Sequence, residues 1–279
     1  MGTIATYEEK KKIIQKLNLT SDIFVGKVFE DTAALEEVLF LITKQRFQII
    51  EIRTQYSIRQ LGTHSVVLDV YAEDTHGRII HIEMQNKEND THLKRVRYCR
   101  SCIDTALLDK GVRYDCLPDI LQIFITNKDF LGKGKAVIYN TKTFSDGVTE
   151  IFFNLKARGK HMGVIENLQK YFINTTEENE SVNFPKLVQR VRFLKYEKNG
   201  VSDMCEVFDK IRQEGKEEGR EEGSVSSWRE AVGEILRNLG TLPDSLNEKI
   251  QEQESEKCLK DWFHLAMRSQ SVEEFISQI

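Results

Sequence analysis

Apolar and polar positions along the chain first change period near residue 45. Before that point the apolar residues recur at helical spacing. Ile13, Ile14 and Leu17 give residues 7–17 a modest apolar face. Thr20, Ser21 and Asp22 read as a helix start before Ile23, Phe24, Val28 and Phe29. Asp31 and Thr32 read as a second cap before Leu35, Val38, Leu39 and Ile42. The period then shortens. Ile49, Ile50 and Ile52 predict a short strand, followed by a polar stretch to Gly62. Residues 66–71 and 79–85 predict two strands joined by the polar turn 73–78, which makes a hairpin. Residues 92–110 return to helical spacing through Leu93, Val96, Ile103 and Leu107, and Gly111 ends them. Residues 117–126 are apolar and β-branched, as in a buried strand, and residues 136–139 and 149–155 are further strand candidates.

After about residue 160 the pattern is helical and polar. Gly215, Gly219 and Gly223 punctuate a Glu/Lys/Arg run. Glycine disfavours a helix there and the opposite charges at neighbouring turns favour one, so residues 206–224 read as a semi-flexible helical linker. Trp228, Val232, Ile235, Leu236 and Leu239 mark a helix that Gly240 and Pro243 break. Two more follow, around Leu259, Trp262, Phe263 and Met267, and around Val272, Phe275 and Ile276. The organisation this predicts is an α/β domain over 1–205 with a mixed central sheet flanked by helices, the linker, and a small helical module over 225–279.

Composition narrows the function classes. The chain has 279 residues, 30% of them charged, with a formal net charge of −4. That balance excludes a DNA-packaging protein, and any nucleic-acid contact has to come from a local patch. No apolar run approaches the ~18 residues of a membrane span, and the opening residues lack a signal-peptide pattern. The expectation is a cytoplasmic protein without a membrane partner. The five cysteines, at 99, 102, 116, 205 and 258, are an odd number without framework spacing, which fits free thiols. Cys99 and Cys102 form a CxxC without a second pair, and read as small core residues of a helix.

The candidate chemistry lies in the hairpin. Alternate side chains of a strand share a face. Leu68, Val70, Ile80, Ile82 and Met84 then form one apolar face, and Asp69, Glu83 and Gln85 converge opposite it. His81 shares that polar face and reads as a rim residue; Tyr71 reads as packing. Polar groups that interrupt so apolar a strand pair need a reason. Two carboxylates on adjacent strands suit a hard cation such as Mg²⁺ or Mn²⁺, which offsets charge at a phosphodiester and activates water. Gln85 adds an amide, which orients without carrying charge.

These segments (Leu68-Asp69-Val70-Tyr71-Ala72, the turn ending in Gly77-Arg78, and Ile82-Glu83-Met84-Gln85) resemble the Rpn-type recombination-promoting nucleases. Those belong to the PD-(D/E)XK superfamily and are often labelled transposases. The resemblance extends to Ser21-Asp22-Ile23-Phe24, to the helix with Arg97 and Tyr98, and to Gly111-Val112-Arg113-Tyr114-Asp115. It implies a restriction-endonuclease-like core and metal-dependent cleavage of DNA linked to recombination or mobile elements. It also implies Asp69 and Glu83 as metal ligands. The superfamily's usual lysine falls on Gln85, with Lys87 or Lys94 as candidates for the missing charge. A further helical ligand falls on Glu36 or Glu37, Glu36 being on the less apolar side of its helix. Lys87, Lys94 and Arg97, with Arg95 and Arg100 among them, form the best phosphate-binding patch of the sequence. The competing reading is a catalytically weak or inactive DNA-binding protein that keeps the fold. The C-terminal helices are a candidate surface for homo-oligomers.

Overall fold

A computed structural model describes residues 6–58, 65–85, 93–129, 131–140, 145–157 and 163–279, with the side chains of 214–222 excepted. The chain divides into two compact units, Met1–Cys205 and Glu206–Ile279. In the first, three helices precede the sheet: α1 (Tyr7–Lys16), α2 (Asp22–Phe29) and α3 (Thr32–Thr43). Their starts follow the capping residues. Ser21 accepts from the Phe24 amide and Asp31 Oδ1 from the Ala34 amide at 2.9 Å. Lys44 then closes α3 in the left-handed region at φ 61°.

Six strands follow: β1 (Ile49–Ile58), β2 (Val66–Asp74), β3 (Ile79–Gln85), β4 (Ile120–Thr126), β5 (Val137–Asn140) and β6 (Val148–Asn154). Their order in the sheet is β1-β2-β3-β4-β6-β5. β1, β2 and β3 run antiparallel in sequence, β3, β4 and β6 run parallel, and β5 closes the far edge antiparallel to β6. The chain is thus an α/β protein with a mixed sheet. The β2–β3 turn is built by Asp74, which is fully buried. Its Oδ1 accepts from the His76 and Arg78 amides and its Oδ2 from the Arg78 guanidinium, while Gly77 supplies a φ of 73°.

The parallel step from β3 to β4 is bridged by α4 (Leu93–Leu107), which lies on one face of the sheet. On that face Val96 of α4 packs with Phe124 and Phe152. The neighbouring Phe153 points the other way, to Phe172 of α5 (Val164–Ile173), which also meets Phe29 of α2. α6 (Pro185–Tyr196) joins that second layer against α3. Both faces are therefore covered, and every residue of β3 and β4 is buried.

β1 is longer than the short strand its apolar residues predict. It is an edge strand, so Arg53, Gln55 and Ser57 are exposed while the ladder continues to Ile58. The glycine-punctuated run is helical, as opposite charges at neighbouring turns favour. α7 (Lys198–Leu239) is one helix of 42 residues. In the second unit α8 (Asp244–Glu252), α9 (Glu256–Ala266) and α10 (Val272–Ile276) follow. Val232, Leu236, Leu246, Ile250, Leu259 and Phe275 form its core.

Candidate active site

The site is built where the hairpin stops being regular. β2 and β3 pair through Tyr71–His81 and Val70–Ile82, and one residue further along this register lie Asp69 and Glu83. β1 pairs with β2 at Thr54–Val70 and Tyr56–Leu68. Between those pairs, opposite Asp69, Gln55 takes a left-handed φ of 49°. The strict alternation of faces fails here. Leu68 packs in one cluster with Tyr71, Ile79 and the α4 residues Cys99, Cys102 and Ile103. The predicted apolar face that paired Leu68 with Val70 is corrected accordingly: a backbone irregularity resets which side a residue faces. α2 lies over this point at Gly26, where a methyl would meet Thr54 Cβ at 3.6 Å and the Asp69 carbonyl oxygen at 3.7 Å, both ordinary contact distances.

Asp69 and Glu83 are both buried and are held in different ways. Asp69 Oδ2 accepts from the Met84 amide at 2.7 Å, and Oδ1 from Gln55 Nε2 at 3.3 Å. Glu83 Oε1 accepts from Gln85 Nε2 at 3.0 Å and from Arg95 Nη2 at 2.7 Å. Glu83 Oε2 lies 3.3 Å from His81 Nε2, and Gln122 Nε2 lies 3.3 Å from His81 Nδ1. These contacts suit an imidazole with its proton on Nε2. Parallel pairing of His81 with Gln122 and of Gln122 with Glu150 continues the polar row across the sheet, where Arg100 meets Glu150 at 2.9 Å.

The two carboxyls are pushed apart electrostatically. Burial, then the nearby Glu83 charge, raises Asp69 to about 7, and Asp22 at the start of α2 adds to the rise. Burial also works against ionised Glu83. The hydrogen bonds from His81 and Arg95, with the Arg95 charge, outweigh it and hold Glu83 below the usual carboxylate range. One carboxylate is charged near neutrality and its neighbour is poised to lose a proton.

The other predicted residues are placed as follows. Gln85 is buried on β3 and bonded to Glu83. His81 is fully buried, so the rim reading is corrected: β3 is central and α4 covers it. Glu36 is not brought to the pair; its Oε1 accepts from the Ile49 amide at 2.8 Å and ties α3 to β1. Glu37 accepts from the Leu187 amide at 2.9 Å. Among the described residues no group of three or more His, Cys, Asp or Glu side chains is arranged to hold an ion. Lys94 and Arg97 are exposed on α4, and Lys87 lies outside the described residues. Sequence reasoning placed Arg95 in the phosphate-binding patch and not on Glu83, and it passed over Gln122 and Gln55. Helical spacing offered a signal for Arg95, because Arg95, Cys99 and Cys102 share the α4 stripe that faces the sheet. Cys99 and Cys102 are themselves free and buried.

Residues 23–213 match the family model described as PD-(D/E)XK nuclease family transposase. The chain belongs to that family. No curated protein and no solved structure gives a match. Family membership supports a nuclease, a hydrolase in class. It also bears on the donor set, because PD-(D/E)XK nucleases generally use divalent metals. The chemistry of the residues fits such an ion: two buried carboxyls on adjacent strands offer oxygen donors to one hard cation. Asp69 and Glu83 are the residues that would hold it.

Proposed function

We propose that the protein is a metal-dependent endonuclease that hydrolyses phosphodiester bonds in DNA, in recombination or the movement of mobile elements. The observation that carries this reading is the buried Asp69–Glu83 pair, with one carboxyl ionised and the other near 7. When bound, Mg²⁺ or Mn²⁺ supplies charge neutralisation at the phosphate and a more acidic water. The protein's own residues do the rest. His81 and Gln122 fix the Glu83 carboxylate in one orientation. Gln85 holds the other Glu83 oxygen. Water adds across one P–O bond: its oxygen joins phosphorus, the bond to the leaving sugar oxygen breaks, and the two water protons end on the products and solvent. Lys94 and Arg97 on α4, with Lys87, extend positive charge for the DNA backbone. A cytoplasmic setting suits the free cysteines, and no helix among the described residues is long and apolar enough to cross a membrane.

The test is cleavage of supercoiled plasmid by purified protein with Mg²⁺ or Mn²⁺. Nicked or linear product is expected from the wild type and not from Asp69→Ala; equal cleavage by both would refute the site. One observation favours a second reading, a DNA-binding protein that does not cut. Neutral Gln85 stands where the family resemblance puts lysine, and Glu83 is already engaged by Arg95. Absence of Mn²⁺ binding at millimolar ion would favour it.

A further inference from the structure

We propose that Arg95 is the movable counter-charge of this site. It neutralises Glu83 while no divalent ion is bound, and it turns to the scissile phosphate when the ion takes its place, supplying the positive charge that Gln85 lacks. This rests on the nuclease reading above.

The geometry singles out Arg95. Glu83 Oε1 has two donors, Gln85 Nε2 at 3.0 Å and Arg95 Nη2 at 2.7 Å. The amide is neutral, so Arg95 is the donor on that oxygen that brings a full charge. The two partners differ in exposure: the Glu83 side chain is 3% exposed and that of Arg95 is 43%. Arg95 therefore reaches in from the surface on the first turns of α4 and has solvent-side space into which to swing. His81, the donor to the other oxygen, is enclosed on all sides and has no such freedom. A guanidinium presents several N–H donors in a planar fork that matches phosphate oxygens.

Charge balance gives the direction of the exchange. In the geometry without an ion, the Arg95 guanidinium is the charge set against this carboxylate pair. A divalent ion on two carboxylates balances it without Arg95, whose charge is then available to an anion beside the site. Ion and phosphate should thus bind cooperatively, each favouring the state in which Arg95 has left Glu83.

Two readouts on the full-length protein test this. The first is Mn²⁺ binding by calorimetry without DNA; the second is plasmid cleavage. Arg95→Ala should bind Mn²⁺ about three- to tenfold more tightly, because a competing cation is gone. It should nevertheless cleave about 100-fold more slowly, the usual loss when one donor to a developing charge is removed. Arg95→Lys should keep most of the cleavage. Gln85→Lys added to Arg95→Ala should recover about tenfold, by restoring charge from the strand. Unchanged or weaker Mn²⁺ binding by Arg95→Ala would make Arg95 a brace for Glu83 and overturn the proposal. So would cleavage equal to wild type. A wild type that cuts nothing under any of these conditions would overturn the nuclease reading itself, an outcome distinct from the other two.

Discussion

Asp69 and Glu83 carry the same functional group one strand apart, and their surroundings make them behave differently. Glu83 has donors on both oxygens, two of them from His81 and Arg95; Asp69 has an amide and a glutamine. Two outcomes follow at this scale. In the metal-free protein Asp69 keeps its proton to a higher pH when folded than when unfolded. The folded state therefore binds more protons between about 4 and 7, and stability falls as pH rises through that window. Asp69→Asn removes this loss. Its melting temperature should exceed wild type by roughly 2–6 °C at pH 8, with the gap closing toward pH 4. The same proton competes with an ion. Mn²⁺ affinity, followed by calorimetry, should weaken by about tenfold per unit as pH drops below 7. Affinity that is flat from pH 5 to 8 would count against Asp69 as a ligand. His81→Ala should cost about 1–3 kcal/mol in chemical denaturation, since it leaves Gln122 without its partner and opens a buried cavity.

Among elements, the irregularity in the β1–β2 ladder and the tight joint between α6 and α7 matter most. The first turns a plain hairpin into a site. Beside the positive φ of Gln55, the Asp69 carboxyl reaches the Met84 amide across the hairpin. The second is a steric constraint. α6 ends at Tyr196 and α7 begins at Lys198, and a methyl on Gly200 would run into the Phe193 carbonyl oxygen and the Leu194 Cα. Both obstacles are backbone, so they cannot rotate away. Gly200→Ala should destabilise the first unit by about 1–3 kcal/mol, measured by urea unfolding. The hairpin, the buried β4, the helix after β3 and the caps at Ser21 and Asp31 were legible as patterns, because periodicity and capping are local. The full length of β1 was not. An edge strand alternates polar residues outward, and without its neighbours that is hard to tell from a loop.

At the scale of the molecule, the helical layer is tied together at a buried lysine. Lys195 Nζ donates to the Thr175 carbonyl at 2.6 Å and stands over the Phe24 ring. Thr175 in turn accepts from the Leu19 amide and donates its own amide to Asn18 Oδ1. One residue thus joins α6, the end of α5 and the approach to α2, which carries Asp22 to the site. Burial lowers Lys195 to about 8. The unfolded chain then holds more protons than the folded one between pH 8 and 10, so stability rises with pH across that window. Lys195→Met should remove that rise; the stabilities of the two proteins, measured by denaturation at pH 8 and pH 10, check it. A wild-type slope no steeper than the variant's would show that Lys195 is not so enclosed.

The sequence by itself determined the fold class and the residues that carry chemistry. Helical and strand periods, turn formers and the carboxylates of Asp69 and Glu83 are written locally, and the hairpin register brings the two together within a span of 15 positions. Only the tertiary structure decided what surrounds them. Arg95 comes from the following helix, Gln122 from a parallel strand and Gln55 from the edge strand, and Glu36 is drawn away to cap β1. Those placements depend on the crossover that lays α4 over the sheet and on one residue at positive φ, and neither follows from spacing along the chain. Environment, not identity, makes one carboxylate charged and the other protonated. That difference arises from burial and from charges brought close by folding.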